Sequence, residues 1–204
     1  MKPKRTFRDV VLDSIEYALS LLASESLRYP SVVVTGGAAI LLAEPRLRDV
    51  YSTGDVDLLL EFPTDVDEVF PTLIELERKH PDEIFAIATK GVAELTPLKR
   101  KGLLAVDFVC PAEPRIRKLF QYTSHNAKTV IAKLSVGSQP VTVYLAKPED
   151  TILCKLAVGR EKDLAGLKQI VPKLEELGKL DRAYITKQSE KFELEKRVKS
   201  LFQN

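Results

Sequence analysis

The stretch Ser31-Val32-Val33-Val34-Thr35-Gly36-Gly37-Ala38-Ala39-Ile40 decides the fold of this 204-residue chain. Its β-branched run follows Pro30 and is typical of a buried strand, because branched side chains pack well on a pleated sheet. The glycine pair then predicts a tight turn that opens a short helix over residues 38–43. A second apolar strand is predicted over residues 55–62, and Pro63 ends it. This alternation of strands and helix indicates an α/β protein.

The rest of the chain divides into a sheet-forming part and a helical part. Apolar residues at helical spacing predict an N-terminal helix over residues 6–28. The elements predicted after the second strand are a helix over 64–79, strands over 84–88 and 103–109, and a hairpin of 130–136 with 141–145. From Pro148 onward, helices are predicted over 148–158, 160–177 and 182–201. The predicted units are a sheet domain, residues 1–147, and a helical region, residues 148–204.

The composition excludes several classes of protein. With 45% hydrophobic and 29% charged residues, the chain is globular rather than disordered. It has no apolar run near the roughly 18–20 residues that span a bilayer and no signal-peptide core, which predicts a cytoplasmic protein without a membrane partner. Cys110 and Cys154 are too few for a disulfide framework or a cysteine-based zinc site.

Charge is distributed unevenly along the chain. The net charge of +2 excludes a simple polycation that coats nucleic acid. Residues 96–133 nevertheless carry eight basic residues against two acidic ones. This basic segment indicates either a solvated face or a patch for a polyphosphate or an RNA backbone.

Three acidic residues interrupt apolar strands. Asp55 and Asp57 project from the same face of one strand, because alternate residues share a face, and Asp107 lies within another strand. Like charges beside apolar residues raise each other's pKa and resist burial unless a cation lies between them. Mg²⁺ is usually held by one or two carboxylates together with substrate phosphates. The pattern predicts a metal site for phosphoryl chemistry, and the alternative is strand-end acids that bind loop amides or solvent.

The glycine turn adds a second chemical signal. Between a strand and a helix, absent side chains let backbone N–H groups approach a phosphate, and the helix N-terminus contributes partial positive charge. Gly36 and Gly37 occupy this position, with Asp55 and Asp57 about twenty residues further on. Together they indicate a phosphate cradle that faces a metal site.

These residues also carry a family resemblance. Residues 34–41 and 52–58 resemble the signature of the polymerase-β-like nucleotidyltransferase superfamily: a hydrophobic strand, Gly-Gly or Gly-Ser, then Asp-x-Asp. Residues 147–156 and 159–164 resemble the helical motif of the AbiEii group, the nucleotidyltransferase toxins of type IV toxin–antitoxin systems, and of related uncharacterised prokaryotic nucleotidyltransferases. The resemblance implies an α/β (α+β) fold in which a nucleotidyltransferase-type mixed sheet flanked by helices precedes a small helical C-terminal region.

The resemblance further implies an enzyme of the nucleotidyltransferase class. Such an enzyme moves a nucleoside monophosphate from an NTP such as ATP to an acceptor hydroxyl, releases pyrophosphate, and needs Mg²⁺ or Mn²⁺. The implied catalytic and metal-binding residues are Asp55, Asp57 and Asp107. The implied nucleotide-binding residues are Gly36, Gly37, Lys155, Arg160 and Lys162. Asp163 is expected to form a structural ion pair instead.

The acceptor stays open at this point. The resemblance allows tRNA or another RNA, with a cognate antitoxin as a protein partner, and the residues equally allow a protein side chain or a small molecule such as an antibiotic. Two features depart from the superfamily pattern: Gly37 stands where many relatives have serine, and the 17 residues between Gly37 and Asp55 are more than usual. We expect the inserted loop, residues 45–52, to shape the acceptor pocket. The alternatives are a catalytically inactive module that binds a nucleotide or a partner, and a plain RNA-binding module.

Overall fold

The computed structural model describes residues 5–60, 66–89 and 91–203. The first half of the chain contains α1 (Phe7–Ser24), β1 (Ser31–Thr35), α2 (Gly36–Ala43), a short 3-10 helix (Pro45–Asp49), β2 (Asp55–Leu60), α3 (Val66–Lys79), β3 (Ile84–Thr89) and β4 (Val92–Pro97). The second half contains β5 (Ala105–Val109), α4 (Pro114–Asn126), β6 (Thr129–Val136), β7 (Gln139–Leu145), α5 (Pro148–Val158), α6 (Glu161–Glu176), α7 (Arg182–Lys191) and α8 (Glu195–Phe202).

The strands form one mixed sheet in the order β3-β4-β5-β2-β1-β7-β6. Strand β1 is parallel to β7 and β2 is parallel to β5, while the other neighbouring pairs are antiparallel. Helices pack on both faces of the sheet. The predicted α/β class, with a mixed sheet flanked by helices, is therefore confirmed.

The two faces of the sheet are covered by different sets of helices, with α2 contributing to both. One face, with Val34 and Leu58, packs against α1, α3 and the first alanines of α2. The other face, with Val33 and Leu59, packs against α2 and α4–α8. The division follows from the strand period, because successive side chains point to opposite faces. The helices after residue 147 thus share a buried cluster with α2 and α4, and the division into residues 1–147 and 148–204 stays a prediction.

Most predicted elements are confirmed with shifts of a few residues at their ends. Helix α1 begins one residue later than predicted because Thr6 is its N-cap, and it already ends at Ser24. The hairpin turn is limited to residues 137–138, since β7 includes Pro140. The predicted ends 61–62 of the second strand and 64–65 of the next helix lie outside the described residues. No helix in the described ranges is long and apolar enough to cross a membrane.

Three elements of the described chain had no sequence prediction, and one prediction was wrong. The 3-10 helix lies in the inserted loop, β4 ends at a proline, which is unusual in a strand, and α4 lies within the basic segment. The single helix predicted over 182–201 is two helices. The chain turns between them at Glu193, whose φ of 55° is left-handed, and buries Phe192 and Leu194. This burial outweighs the intrinsic helix propensity of the segment.

Candidate active site

A row of polar side chains crosses four neighbouring strands of the sheet. Thr35 lies opposite Asp57, Asp57 opposite Asp107, and Asp107 opposite Glu94. Residues directly opposite each other have Cβ atoms about 5 Å apart. Asp55 lies two residues before Asp57 and shares its face of the sheet. The structure therefore brings the three predicted acids, Asp55, Asp57 and Asp107, together on one face.

The negative charges of the acids in this row are poorly balanced by positive groups of the protein. Burial, followed by the neighbouring Asp55 carboxylate, raises the pKa of Asp57 to about 6. Burial, followed by the Asp57 and Asp55 carboxylates, raises the pKa of Asp107 to about 7. Among the described residues, the buried Oδ1 atom of Asp107 has no hydrogen-bond partner. These observations describe a site where bound positive charge would relieve repulsion.

The glycine turn lies directly against this row. Gly36 opens α2 with a φ of +65°, and a Cβ atom on it would lie 1.7 Å from Oδ2 of Asp57. Any side chain at this position would displace that carboxylate, so glycine is required for the close approach of helix and acid. The first backbone N–H groups of a helix have no partner within the helix. The turn thus places such groups beside Asp57.

Two cations are held near the turn by one buried acid. Lys155 Nζ lies 2.7 Å from Asp163 Oδ1, and Arg160 Nε donates to Asp163 Oδ2 at 2.6 Å. Burial would raise the pKa of Asp163, but the hydrogen bonds from Arg160 and Lys155 outweigh it and hold that pKa below its ordinary value. The expected ion pair of Asp163 is confirmed. The exposed Lys162 lies near enough to Asp107 to favour its charged form.

A cavity of about 440 Å³ begins at the glycine turn. Gly36, Asp57, Lys155 and Arg160 line its charged part. The apolar part is lined by side chains of β5, α4 and α5, including Val109, Ile116, Phe120 and Val158. A cavity of this size with convergent polar groups is typical of small-molecule sites. Its charged part suits phosphates and its apolar part suits a nucleoside.

The residues present fit a divalent metal ion that is shared with a substrate. Within the described ranges, no group of three or more His, Cys, Asp or Glu side chains is positioned to hold a metal by itself. Asp55, Asp57 and the unpaired Asp107 Oδ1 nevertheless offer only oxygen donors. Oxygen donors are preferred by Mg²⁺ and Mn²⁺, and Mg²⁺ commonly takes further ligands from substrate phosphates. Such an ion would bind together with a ligand that carries phosphate groups.

Sequence reasoning missed two residues of this site. Glu94 joins the row only through the pairing of β4 with β5, although the alternation in residues 92–96 was a readable strand signal. Tyr51 comes from the inserted loop, and its hydroxyl lies against the glycine turn. No sequence pattern indicated this contact. The loop therefore contributes a hydroxyl group at the glycine turn.

Comparisons with known proteins identify the family of the chain. Residues 11–203 match a family model described as "Nucleotidyltransferase of unknown function (DUF6036)". Among solved structures, the chain is similar to an antigenic nucleotidyltransferase-like protein from Paracoccidioides brasiliensis, with 21% identity, a TM-score of 0.40, and coverage of 79% of this chain and 76% of that chain. No curated protein matches the chain. Since the family model covers nearly the whole sequence, the chain belongs to this nucleotidyltransferase family of unknown function.

Proposed function

We propose that the chain is a metal-dependent nucleotidyltransferase. It moves a nucleoside monophosphate from an NTP to an acceptor hydroxyl and releases pyrophosphate. The observation that carries the proposal is the pairing of Asp57 with Asp107 beside the glycine turn at Gly36. Membership of a nucleotidyltransferase family supports the same reaction class.

The donor nucleotide would bind in the cavity that begins at the glycine turn. Backbone N–H groups at Gly36 and Gly37 face the triphosphate, because anions bind favourably at a helix N-terminus. Lys155, Arg160 and Lys162 add positive charge on the α5–α6 side. Asp163 holds Lys155 and Arg160 in place before substrate arrives, so less ordering is needed on binding.

The carboxylates would lie at the reacting phosphate groups of the nucleotide. Asp55, Asp57 and Asp107 would hold Mg²⁺ or Mn²⁺, which when bound neutralises phosphate charge and polarises the phosphoryl group. Asp107 and Glu94 lie on the side of Asp57 away from the glycine turn, as the strand order shows. An acceptor hydroxyl that approaches from β5 would therefore meet these two acids. Positioning and fixed charges would supply most of the rate acceleration.

The acceptor that we propose is an RNA hydroxyl, such as the 3′ end of tRNA, modified by a toxin with a cognate antitoxin. The resemblance of residues 147–164 to the toxin motif supports this proposal. The basic segment supports it only in part. Arg100 lies over the Tyr17 ring, Arg115 binds the Phe192 carbonyl and Lys99 pairs with Asp82. The other lysines of the segment are exposed and would contact RNA: Lys101, Lys118, Lys128 and Lys133.

Label transfer from each α-³²P-labelled NTP tests the proposal. Purified protein is incubated with Mg²⁺ or Mn²⁺ and total cellular RNA, and labelled RNA, protein and small molecules are then separated. The variants are Asp57→Asn and, as a matched control, Asp13→Asn, which changes an exposed acid on α1. We expect transfer to RNA by the wild type and the control only. Absence of transfer, with equal nucleotide binding by wild type and Asp57→Asn, would instead indicate a catalytically inactive nucleotide- or partner-binding module.

A further inference from the structure

The ring of Tyr51 is enclosed between two helices. A Cβ atom on Gly37 of α2 would lie 2.8 Å from the Tyr51 hydroxyl, and one on Gly166 of α6 would lie 3.2 Å from Tyr51 Cε2. The Tyr51 N–H donates to the Leu47 carbonyl at 2.8 Å, and Leu47 is fully buried. Two glycines and a fixed backbone thus hold the ring with its hydroxyl at the glycine turn.

The charged groups near this hydroxyl are the Lys155 ammonium and the carboxylates of Asp55, Asp57 and Asp163. An anionic ligand therefore fits here together with the metal ion that Asp55 and Asp57 would hold. Burial raises the pKa of Tyr51, so the phenol keeps its proton and can donate it. Thr53 has the other hydroxyl near Gly37, but this group donates to Asp55 Oδ1 at 2.6 Å. The Tyr51 hydroxyl is therefore the one that can turn towards a ligand beside the first N–H groups of α2.

A side chain at position 37 would compete with Tyr51 for space. The first atom of such a side chain would lie only 2.8 Å from the Tyr51 hydroxyl and 2.9 Å from Thr53 Oγ1. A serine at this position would direct its own hydroxyl into the same region. In this chain, a residue of the inserted loop brings a hydroxyl there instead.

We propose that Tyr51 binds the donor nucleotide, with its hydroxyl donating a hydrogen bond to the phosphate chain at the glycine turn. This inference rests on the proposed function. It assigns the inserted loop to recognition of the donor rather than to the acceptor pocket expected from the sequence. The contact adds one uncharged donor to a phosphate site otherwise made of backbone N–H groups and cations.

Nucleotide affinity of Tyr51→Phe tests the inference. The probes are ATP, GTP, CTP and UTP with Mg²⁺, followed by the nucleoside that corresponds to the tightest binder. Tyr17→Phe is the matched control, because Tyr17 lies on α1 against the opposite face of the sheet. Phenylalanine preserves the packing between Gly37 and Gly166. We expect an unchanged melting temperature and triphosphate binding about tenfold weaker, as for loss of a hydrogen bond to a charged group, with nucleoside binding unchanged.

A second variant covers the case in which Tyr51→Phe melts below the wild type. Gly166→Ala adds a methyl group 3.2 Å from the Tyr51 ring and favours helix formation. It should shift the ring and weaken triphosphate binding. Unchanged triphosphate affinity of Gly166→Ala would overturn the role of Tyr51.

The outcomes separate this inference from the proposed function. Equal triphosphate affinity of wild type and Tyr51→Phe would overturn the role of Tyr51 and leave the proposed function standing. Tighter binding by Tyr51→Phe would also overturn it, because the hydroxyl would then obstruct the phosphate site. Failure of the wild type to bind any of the four triphosphates would refute both.

Discussion

Strand β2 carries Asp57 and Leu59 on the same face of the sheet, yet their surroundings differ. Leu59 is fully buried beneath the helices and packs in a cluster with Val33 and Ile152. Asp57 lies against a bare glycine turn, and burial raises its pKa. One end of this face is thus arranged for stability. The other end keeps charge that costs stability in the absence of a ligand, which is typical of functional sites.

The largest effect is expected from the acidic end. Asp57→Asn should lower the rate of label transfer by at least about a hundredfold, as for the loss of one preorganised electrostatic group in an active site. The melting temperature should stay equal or rise, because the substitution removes like-charge repulsion. Initial rates and thermal melts of the same preparation check both parts. If Asp57→Asn loses activity only because it unfolds, the contrast between the two ends of this face is refuted.

A substitution at the apolar end should lower stability rather than activity. Leu59→Ala should destabilise the protein by about 2–5 kcal/mol, because it leaves a cavity in a fully buried cluster. The rate per folded molecule should change little. Urea denaturation gives the free energy of unfolding, and the rate is measured well below the unfolding midpoint. A Leu59→Ala protein with full stability would show that this end of the face is not the core we describe.

The ion pairs of Asp163 should contribute both to stability and to ligand binding. Asp163→Asn should cost about 3 kcal/mol of stability, since it leaves the largely buried Lys155 without its carboxylate. It should also weaken NTP binding, because Lys155 and Arg160 are no longer held at the cavity. Glu176→Gln is the control, as it removes an exposed pair with Lys173 and should change stability by less than about 1 kcal/mol. Equal effects of the two substitutions would contradict the positioning role.

The smallest effect concerns pH. The pKa values of Asp57 and Asp107, about 6 and about 7, lie above the ordinary value of about 3.9 for an unfolded chain. Between these values the folded state binds more protons, so stability falls as pH rises from about 4 to about 7. The metal-free wild type should therefore lose a few degrees more in melting temperature between pH 5 and pH 8 than an Asp57→Asn/Asp107→Asn variant. Mg²⁺ added together with a nucleoside triphosphate at pH 8 should raise the melting temperature of the wild type more than that of this variant.

The sequence predicted the parts of this site that depend on local periodicity. Asp55 and Asp57 share a face because strand side chains alternate, and a glycine pair between strand and helix indicates a turn. The pairing of Asp57 with Asp107 depends on strand order and register, which one sequence does not determine. For the same reason, the sequence did not indicate that Glu94 belongs to this row. The position of Tyr51 depends on how the inserted loop packs between α2 and α6, a tertiary contact without a local signal.

The measurement that most directly tests the central claim is the stoichiometry of pyrophosphate release and label transfer in one reaction. Wild type and Asp55→Asn/Asp57→Asn are compared with the preferred NTP, Mg²⁺ and RNA. We predict one pyrophosphate for each labelled monophosphate transferred by the wild type, and neither product from the variant. Equal pyrophosphate release by both proteins, or transfer that persists without the two carboxylates, would contradict the assignment of this row as the active site.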